Sequence, residues 1–185
     1  MAERRREHPS ATLKAIVRPG TPEDANSLAA LAIQVWLHTY ATEGISPTIA
    51  DYVLAEFAAE RFAVLLSRAE SAILVAEESG NLVGYALMNA DAICPVATNA
   101  KVELATLYVQ EHFIGKGIGS ALISHAERWA MQRTDAALWL TVNARNARAI
   151  AFYAKHRYTT LGSTAFRLGH EDHENFVLAG LEEKR

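Results

Sequence analysis

The sequence predicts an α/β protein, one mixed sheet with helices packed on both faces. Three observations carry this. Two apolar runs, residues 72–77 and 82–88, flank Ser79-Gly80-Asn81, which marks an antiparallel hairpin. Downstream, apolar runs alternate with amphipathic segments in the strand–helix–strand order of parallel neighbours. Three glycines, Gly115, Gly117 and Gly119, separate one such run from the helical pattern that follows it.

Taken in order, residues 1–11 are expected to be a loose tail, and residues 12–185 one domain, which their length suits. Thr12–Arg18 alternates as a first strand. Thr21-Pro22-Glu23-Asp24 opens a helix: a capping residue, proline in the first turn, and two carboxylates at the positive dipole end. Leu28, Leu31 and Val35 continue it at helical spacing. Ser46-Pro47 repeats the start signal, and a second helical stretch runs towards Arg68 with a break near Ala58-Ala59. The hairpin strands follow, then a loop around Cys94-Pro95 and a strand over Lys101–Val109. A helix is expected from Lys116 to Arg133, with Ile118, Leu122, Ala126 and Trp129 facing a core and Ser124, Glu127 and Arg128 facing away. Leu138–Val142 is a strand, Asn146–His156 a helix, and Thr159–Leu168 and Glu174–Leu181 two closing strands. The order is β-αα-βββ-α-β-α-ββ.

Half of the residues are apolar and 21% are charged, which excludes a disordered chain. A net charge of -3 argues against nucleic-acid binding, and Arg4-Arg5-Arg6 fits a solvated tail. The single cysteine, Cys94, allows no intramolecular disulfide, and its neighbours Ile93 and Pro95 offer nothing to activate it, so a packed or loop thiol is expected. No apolar run has the length of a membrane span or the character of a secretory signal. A cytoplasmic protein with no membrane partner is expected.

A glycine turn between strand and helix lets backbone N–H groups converge at the positive end of a helix, where phosphates bind. Gly115-Lys116-Gly117-Ile118-Gly119 lacks the spacing of a P-loop, and it is G-x-G-x-G where the dinucleotide fingerprint is G-x-G-x-x-G. Asp135, about twenty residues on, precedes the next strand instead of ending it. A turn chosen for tight packing alone is the competing explanation.

The stretch Leu107-Tyr108-Val109-Gln110-Glu111-His112-Phe113-Ile114-Gly115-Lys116-Gly117-Ile118-Gly119-Ser120 resembles the acyl-CoA motif of the GCN5-related N-acetyltransferases, in which [Q/R]-x-x-G-x-[G/A] wraps the CoA pyrophosphate. Gly117 and Gly119 match the two small positions; Ile114 departs from Gln or Arg, and Gln110 from a frequent proline. A second block, Asn143 to Lys155, is similar to the family's N-x-x-N-x-x-A-x-x-F-Y-x-K, with Asn143, Asn146, Ala149, Phe152, Tyr153 and Lys155 retained. The ending His156-Arg157-Tyr158 replaces x-G-F.

The resemblance implies the family's fold and acetyl-CoA as cosubstrate. The backbone of Leu107, Tyr108 and Val109 would pair with pantetheine, the turn Ile114–Ser120 would hold the pyrophosphate, and Asn146 would lie near the pantetheine arm or phosphates. Transfer to an amine needs a base, because an alkylamine with a pKa of ~10 is mostly protonated at neutral pH. It also profits from an acid for the departing thiolate and a donor for the carbonyl oxygen. The resemblance makes Tyr153 the acid, whereas helical spacing by itself puts it in a core with Ala147, Ile150 and Ala154. Glu103 stands where several members carry a catalytic glutamate; a solvated strand-end carboxylate is its other reading. Strict alternation puts Glu103 on the face of Ala105, Leu107 and Val109, unless the bulge common in the family's strand intervenes. Thr106 stands where relatives often have arginine.

His170-Glu171-Asp172-His173-Glu174 concentrates possible metal ligands, but it falls where a polar hairpin turn is expected and lacks further spaced ligands, so no metal is assigned. His38, His112, His125 and His156 are scattered without a triad pattern. Trp36-Leu37-His38-Thr39-Tyr40 with Glu43, Asp51 and Glu56 is a candidate acceptor site for a cationic amine, with an ordinary helix end as the alternative. The segment bears a faint resemblance to bacterial spermine/spermidine acetyltransferases of the PaiA type, which implies a polyamine-like acceptor. The expected function is acetyl transfer from acetyl-CoA to a primary amine of a small molecule in a ternary complex, and the resemblance implies that a homodimer is open to the protein. The alternatives are a non-catalytic acyl-CoA-binding module and a protein N-terminal or lysine acetyltransferase.

Overall fold

The computed structural model describes residues 15–97, 100–134 and 137–180. The expected tail, the strand start at residues 12–14, Asp135 and the strand end at Leu181 lie outside them. The elements run β1 (Ile16–Pro19), α1 (Ala25–Tyr40), α2 (Pro47–Glu56), α3 (Ala59–Ser67), β2 (Ser71–Glu78), β3 (Asn81–Asn89), β4 (Val102–Val109), α4 (Ile118–Thr134), β5 (Leu138–Asn143), α5 (Ala147–Lys155), β6 (Tyr158–Leu168) and β7 (Glu171–Gly180). Seven strands form one sheet in the order β1-β2-β3-β4-β5-β7-β6, and every neighbouring pair is antiparallel except β4 and β5. Among the described residues no helix is long and apolar enough to cross a membrane.

Local chemistry sets the helix bounds. Thr21 and Asp24 cap the start of α1 through a short 3-10 turn at Pro22–Asp24, with the Thr21 N–H donating to Asp24 Oδ2 at 2.8 Å. The Ser46 hydroxyl accepts from the Ile49 N–H at 3.3 Å and opens α2. The second helical stretch divides at Phe57-Ala58, where Ala58 is extended, beside the break expected at Ala58-Ala59, so three helices precede β2. Helix α4 begins at Ile118, two residues later than expected, because Gly115 (φ 81°) and Gly117 (φ 83°) are left-handed. The closing hairpin turns earlier than expected, at Gly169 (φ 60°), and Glu171–Glu174 belong to β7.

Both sheet faces are covered. Leu122, Ile123, Ala126 and Ala130 of α4 and Tyr153 of α5 pack on Met88, Val102, Leu104, Leu138, Leu140 and Leu178. The buried stripe of α4 is thus wider than expected; Trp129 is half-buried, and Glu127, expected in solvent, accepts from the Tyr158 hydroxyl at 3.2 Å. On the other face Leu28, Ala32 and Trp36 of α1, Val53 of α2 and Phe62 of α3 pack on Val75 and Tyr85. Cys94 is buried in a third cluster with Ala100, Trp139 and Val177, the packed one of the two alternatives expected.

A bulge interrupts β4. Leu87 pairs with Thr106 and Met88 with Leu104, so Ala105 has no partner on β3. Facing reverses there: Val102 and Leu104 share the α4–α5 face with Leu107 and Val109, while Tyr108 packs on the α1–α3 face. Glu103 therefore shares the face of Tyr108, and the strict alternation that grouped it with Leu107 and Val109 is corrected.

Candidate functional site

β4 and β5 pair only at Val102↔Leu138 and Glu103↔Trp139. Beyond that point both strands run on, β4 to Val109 and β5 to Asn143, without a shared ladder. Such a split leaves backbone N–H and C=O groups along two facing strand edges, which an extended ligand can satisfy as an added strand. It also uncovers Thr141, which is exposed although β5 lies inside the sheet.

A cleft of about 720 Å³ opens on the α1–α2 face of this split. Its floor crosses four strands: Ala105 and Tyr108 of β4, Thr141 and Asn143 of β5, His173 and Asn175 of β7, and Phe166 and Leu168 of β6. Its roof comes from Trp36, His38, Thr39 and Tyr40 of α1, Thr42, and Ile49 and Tyr52 of α2. Arg145, Asn146, Ala147 and Arg148 at the start of α5 close one side. The Tyr52 ring lies tilted against Trp36, 5.1 Å between centroids, and meets Phe166 edge-on at 5.8 Å, forming an aromatic wall.

Four tyrosines around the cleft keep their protons at neutral pH. Burial pushes Tyr108 well above its ordinary value and Tyr52 up to about 12, with the nearby Glu56 adding to the second shift. Tyr40 is also raised by burial, opposed by the side-chain amide of Asn146 within hydrogen-bonding range. Tyr153 is raised strongly by burial, then by the proximity of Tyr40.

At the other end of the split the glycine turn presents bare backbone. A Cβ built on Gly115 or Gly117 meets nothing within 4 Å, so both glycines face open space from left-handed conformations. The Ala121 N–H bonds to the Gly117 carbonyl at 3.0 Å, leaving the N–H groups of Ile118, Gly119 and Ser120 at the unsatisfied start of α4. Lys116 lies over the Phe113 ring at 4.4 Å. The Ile118 side chain is buried in the core, so only its backbone faces outward, and Ser120 Oγ lies 3.0 Å from His156 Nε2. Ile114 is exposed.

The second block shapes the turn from β5 to α5. Asn143 Oδ1 accepts from the Arg145 N–H at 2.9 Å, and Asn146 Oδ1 caps α5 by accepting from the Ala149 N–H at 3.0 Å. Asn146 lines the cleft. Tyr153 does not: it lies under the sheet in the α4–α5 core, and its hydroxyl makes no hydrogen bond among the described residues. Glu103 stands at the paired end of the split, outside the cleft lining, with Oε2 accepting from Asn89 Nδ2 at 3.1 Å.

The acids expected to receive a cationic amine are elsewhere. Glu43 and Asp51 are exposed, and Glu56 is held by Arg61 at 2.8 Å; none lines the cleft. Among the described residues no three or more His, Cys, Asp or Glu side chains are grouped to hold a metal ion. Sequence reasoning passed over Thr141, Phe166 and Asn175 and considered His173 only as a metal ligand; the period-2 spacing of His173 and Asn175 was the one signal that they share a face.

The model of the acetyltransferase (GNAT) family matches residues 32–158. An uncharacterised N-acetyltransferase of Mycobacterium bovis is 32% identical over 155 residues, covering 84% of this chain and 96% of the relative, and one from Mycobacterium tuberculosis matches equally. The structure of a GCN5-related N-acetyltransferase from Rhodopseudomonas palustris superposes with a TM-score of 0.67 at 26% identity, covering 90% of this chain and 95% of that one. The PaiA N-acetyltransferase of Thermoplasma acidophilum, solved in complex with coenzyme A, superposes with a TM-score of 0.69 at 21% identity, covering 90% and 98%; at that identity the likeness is one of fold.

Proposed function

The chain belongs to the GNAT acetyltransferase family, and we propose that it transfers the acetyl group of acetyl-CoA to a primary amine of a small molecule within a ternary complex. The observation that carries the reading is the split between β4 and β5, which joins a bare glycine turn to an aromatic-walled cleft. The residues present fit the cosubstrate. A Cβ-free surface at Gly115 and Gly117 and the free amides of Ile118, Gly119 and Ser120 suit a pyrophosphate. The unladdered edge of β4 from Leu107 to Val109 suits the amide-bearing pantetheine arm.

Acetyl-CoA supplies an acyl carbon as a thioester: a C–N bond forms, the C–S bond breaks, one proton leaves the nitrogen and one is taken up at sulfur. Backbone amides of β4 past the bulge hold the carbonyl oxygen where negative charge develops. Tyr153, protonated and on the α5 side of the split, donates to the departing sulfur. Glu103 takes the amine proton through a water chain, since its carboxylate lies outside the cleft lining. The acceptor enters from the opposite face, under Tyr40 and Tyr52.

Calorimetric titration with acetyl-CoA and with CoA tests the first half, and saturable binding of both is expected. Release of free thiol with a panel of primary amines tests the second. Folded protein that binds neither nucleotide overturns the reading.

A further inference from the structure

Resting on that reading, we propose that the acceptor amine also carries a carboxylate, which is received at the β5–β7 end of the cleft by Arg145 and His173, beside Asn175. The charge of the lining comes first. Two guanidinium groups and two imidazoles line the cleft, and among the described residues no carboxylate does. Two of the four are already engaged: Arg148 Nη1 donates to Glu111 at 2.9 Å, and His38 Nε2 lies 3.4 Å from the same carboxylate. The Arg145 guanidinium makes no ion pair or side-chain hydrogen bond among the described residues.

Two polar atoms of the lining are buried without a hydrogen-bond partner, His173 Nε2 and Asn175 Oδ1. They belong to same-face positions of β7, Asn175 opposite Asn143 on β5 and His173 opposite Phe166 on β6. Buried polar groups left unpaired cost free energy that a ligand with matching groups recovers. An imidazole N–H and a guanidinium offer donors to the two oxygens of a carboxylate, and the Asn175 Oδ1 accepts from the amino group beside it. Glu171 Oε2 lies 3.8 Å from His173 Nε2, beyond hydrogen-bonding reach, and its side chain is 82% exposed, so the imidazole remains available.

The same lining disfavours a polyamine. A second ammonium would find no carboxylate and would face Arg145 instead. The wall of Trp36, Tyr52 and Phe166 suits an aromatic or branched apolar body.

The test uses matched pairs that differ only in the carboxylate, phenylalanine with phenethylamine and leucine with isoamylamine, beside spermidine. Thiol release is expected to show kcat/KM at least tenfold higher for the amino acid of each pair, with spermidine below both. Arg145→Gln is expected to shrink that ratio about tenfold, and Arg145→Lys to keep part of it. A preference for the plain amines or for spermidine overturns the proposal, as does a ratio that Arg145→Gln leaves unchanged while acetyl-CoA binding weakens. The same pairs titrated into CoA-loaded protein separate this proposal from the transfer reading. Tighter binding of the amino acids without turnover upholds the carboxylate site and overturns transfer, and equal binding overturns the carboxylate site.

Discussion

Gly119, in the first turn of α4, faces the ring of Phe152 on α5: a Cβ on Gly119 would lie 3.3 Å from both Cε2 and Cζ of that ring. The glycine turn and the second sequence block are thus pressed together behind the split. Gly117, two residues earlier, faces open space at φ 83°. The two glycines are expected to fail differently. Gly119→Ala must push Phe152 by a few tenths of an ångström, so it lowers the melting temperature and leaves acetyl-CoA affinity within about threefold, a cost of under ~1 kcal/mol. Gly117→Val adds strain of about 1–2 kcal/mol and covers the bare amides, so acetyl-CoA binding weakens tenfold or more while the circular dichroism spectrum is kept. Calorimetry and thermal melts of both variants check this; wild-type affinity in Gly117→Val removes the cradle.

Tyr153→Phe keeps the ring that packs in the core and removes only the hydroxyl. Burial holds that hydroxyl protonated far above neutral pH, so it has a proton to give throughout the working range. The variant is expected to lose roughly 100-fold in kcat, the usual size of a general-acid contribution, with acetyl-CoA affinity little changed. An unchanged kcat makes Tyr153 a core residue and nothing more.

Glu103→Gln retains an oxygen for the Asn89 amide, which donates to Glu103 at 3.1 Å, and removes the capacity to take a proton. Turnover is expected to fall by about tenfold or more, with the melting temperature preserved. Asn89→Ala is expected to have a smaller effect, since it disturbs the orientation of the carboxylate and leaves its chemistry. Equal rates for Glu103→Gln and the wild type reduce Glu103 to a strand residue bonded to its neighbour.

What the sequence made legible were the features encoded locally. Gly115 and Gly117 occupy left-handed backbone and Asn146 caps a helix, and each such role demands a particular residue type at a particular place. The element order followed from periodicity and from the Thr21, Ser46 and Gly80 signals. The facing of Glu103 was not legible, because the bulge at Ala105 is set by the register of β4 against β3 and has no glycine to mark it. Nor was the acceptor wall. His173 and Asn175 line a cleft only because β4 and β5 part company many residues earlier in the chain. Glu43, Asp51 and Glu56 misled for the converse reason: proximity in sequence to Tyr40 says nothing about where the loop after α1 and the faces of α2 point their side chains.

Arg18 and Asp24 tie β1 to the start of α1, and here stability depends on pH. Arg18 Nη1 and Nη2 donate to the two carboxylate oxygens at 2.8 and 2.9 Å, and the Thr21 N–H adds a third bond at 2.8 Å. Arg18 Nε also donates to Glu77 at 2.9 Å, which links β2 to the same anchor. Asp24 is buried, and the hydrogen bonds from Arg18, ahead of the backbone bond and charge attraction, hold its carboxyl below the ordinary carboxylate range. A carboxyl whose folded value lies below its unfolded value of about 3.9 stabilises fully above that value, and the contribution disappears as the pH falls through the folded value. Asp24→Asn is therefore expected to lose about 2 kcal/mol at neutral pH, a drop of roughly 4–8 °C for a chain of this size. Its gap from the wild type should close as the pH is taken below the carboxylate range. Melts of both proteins across that range decide it: a gap that stays constant from neutral to acid pH means that the ionised carboxylate is not what holds β1 to α1.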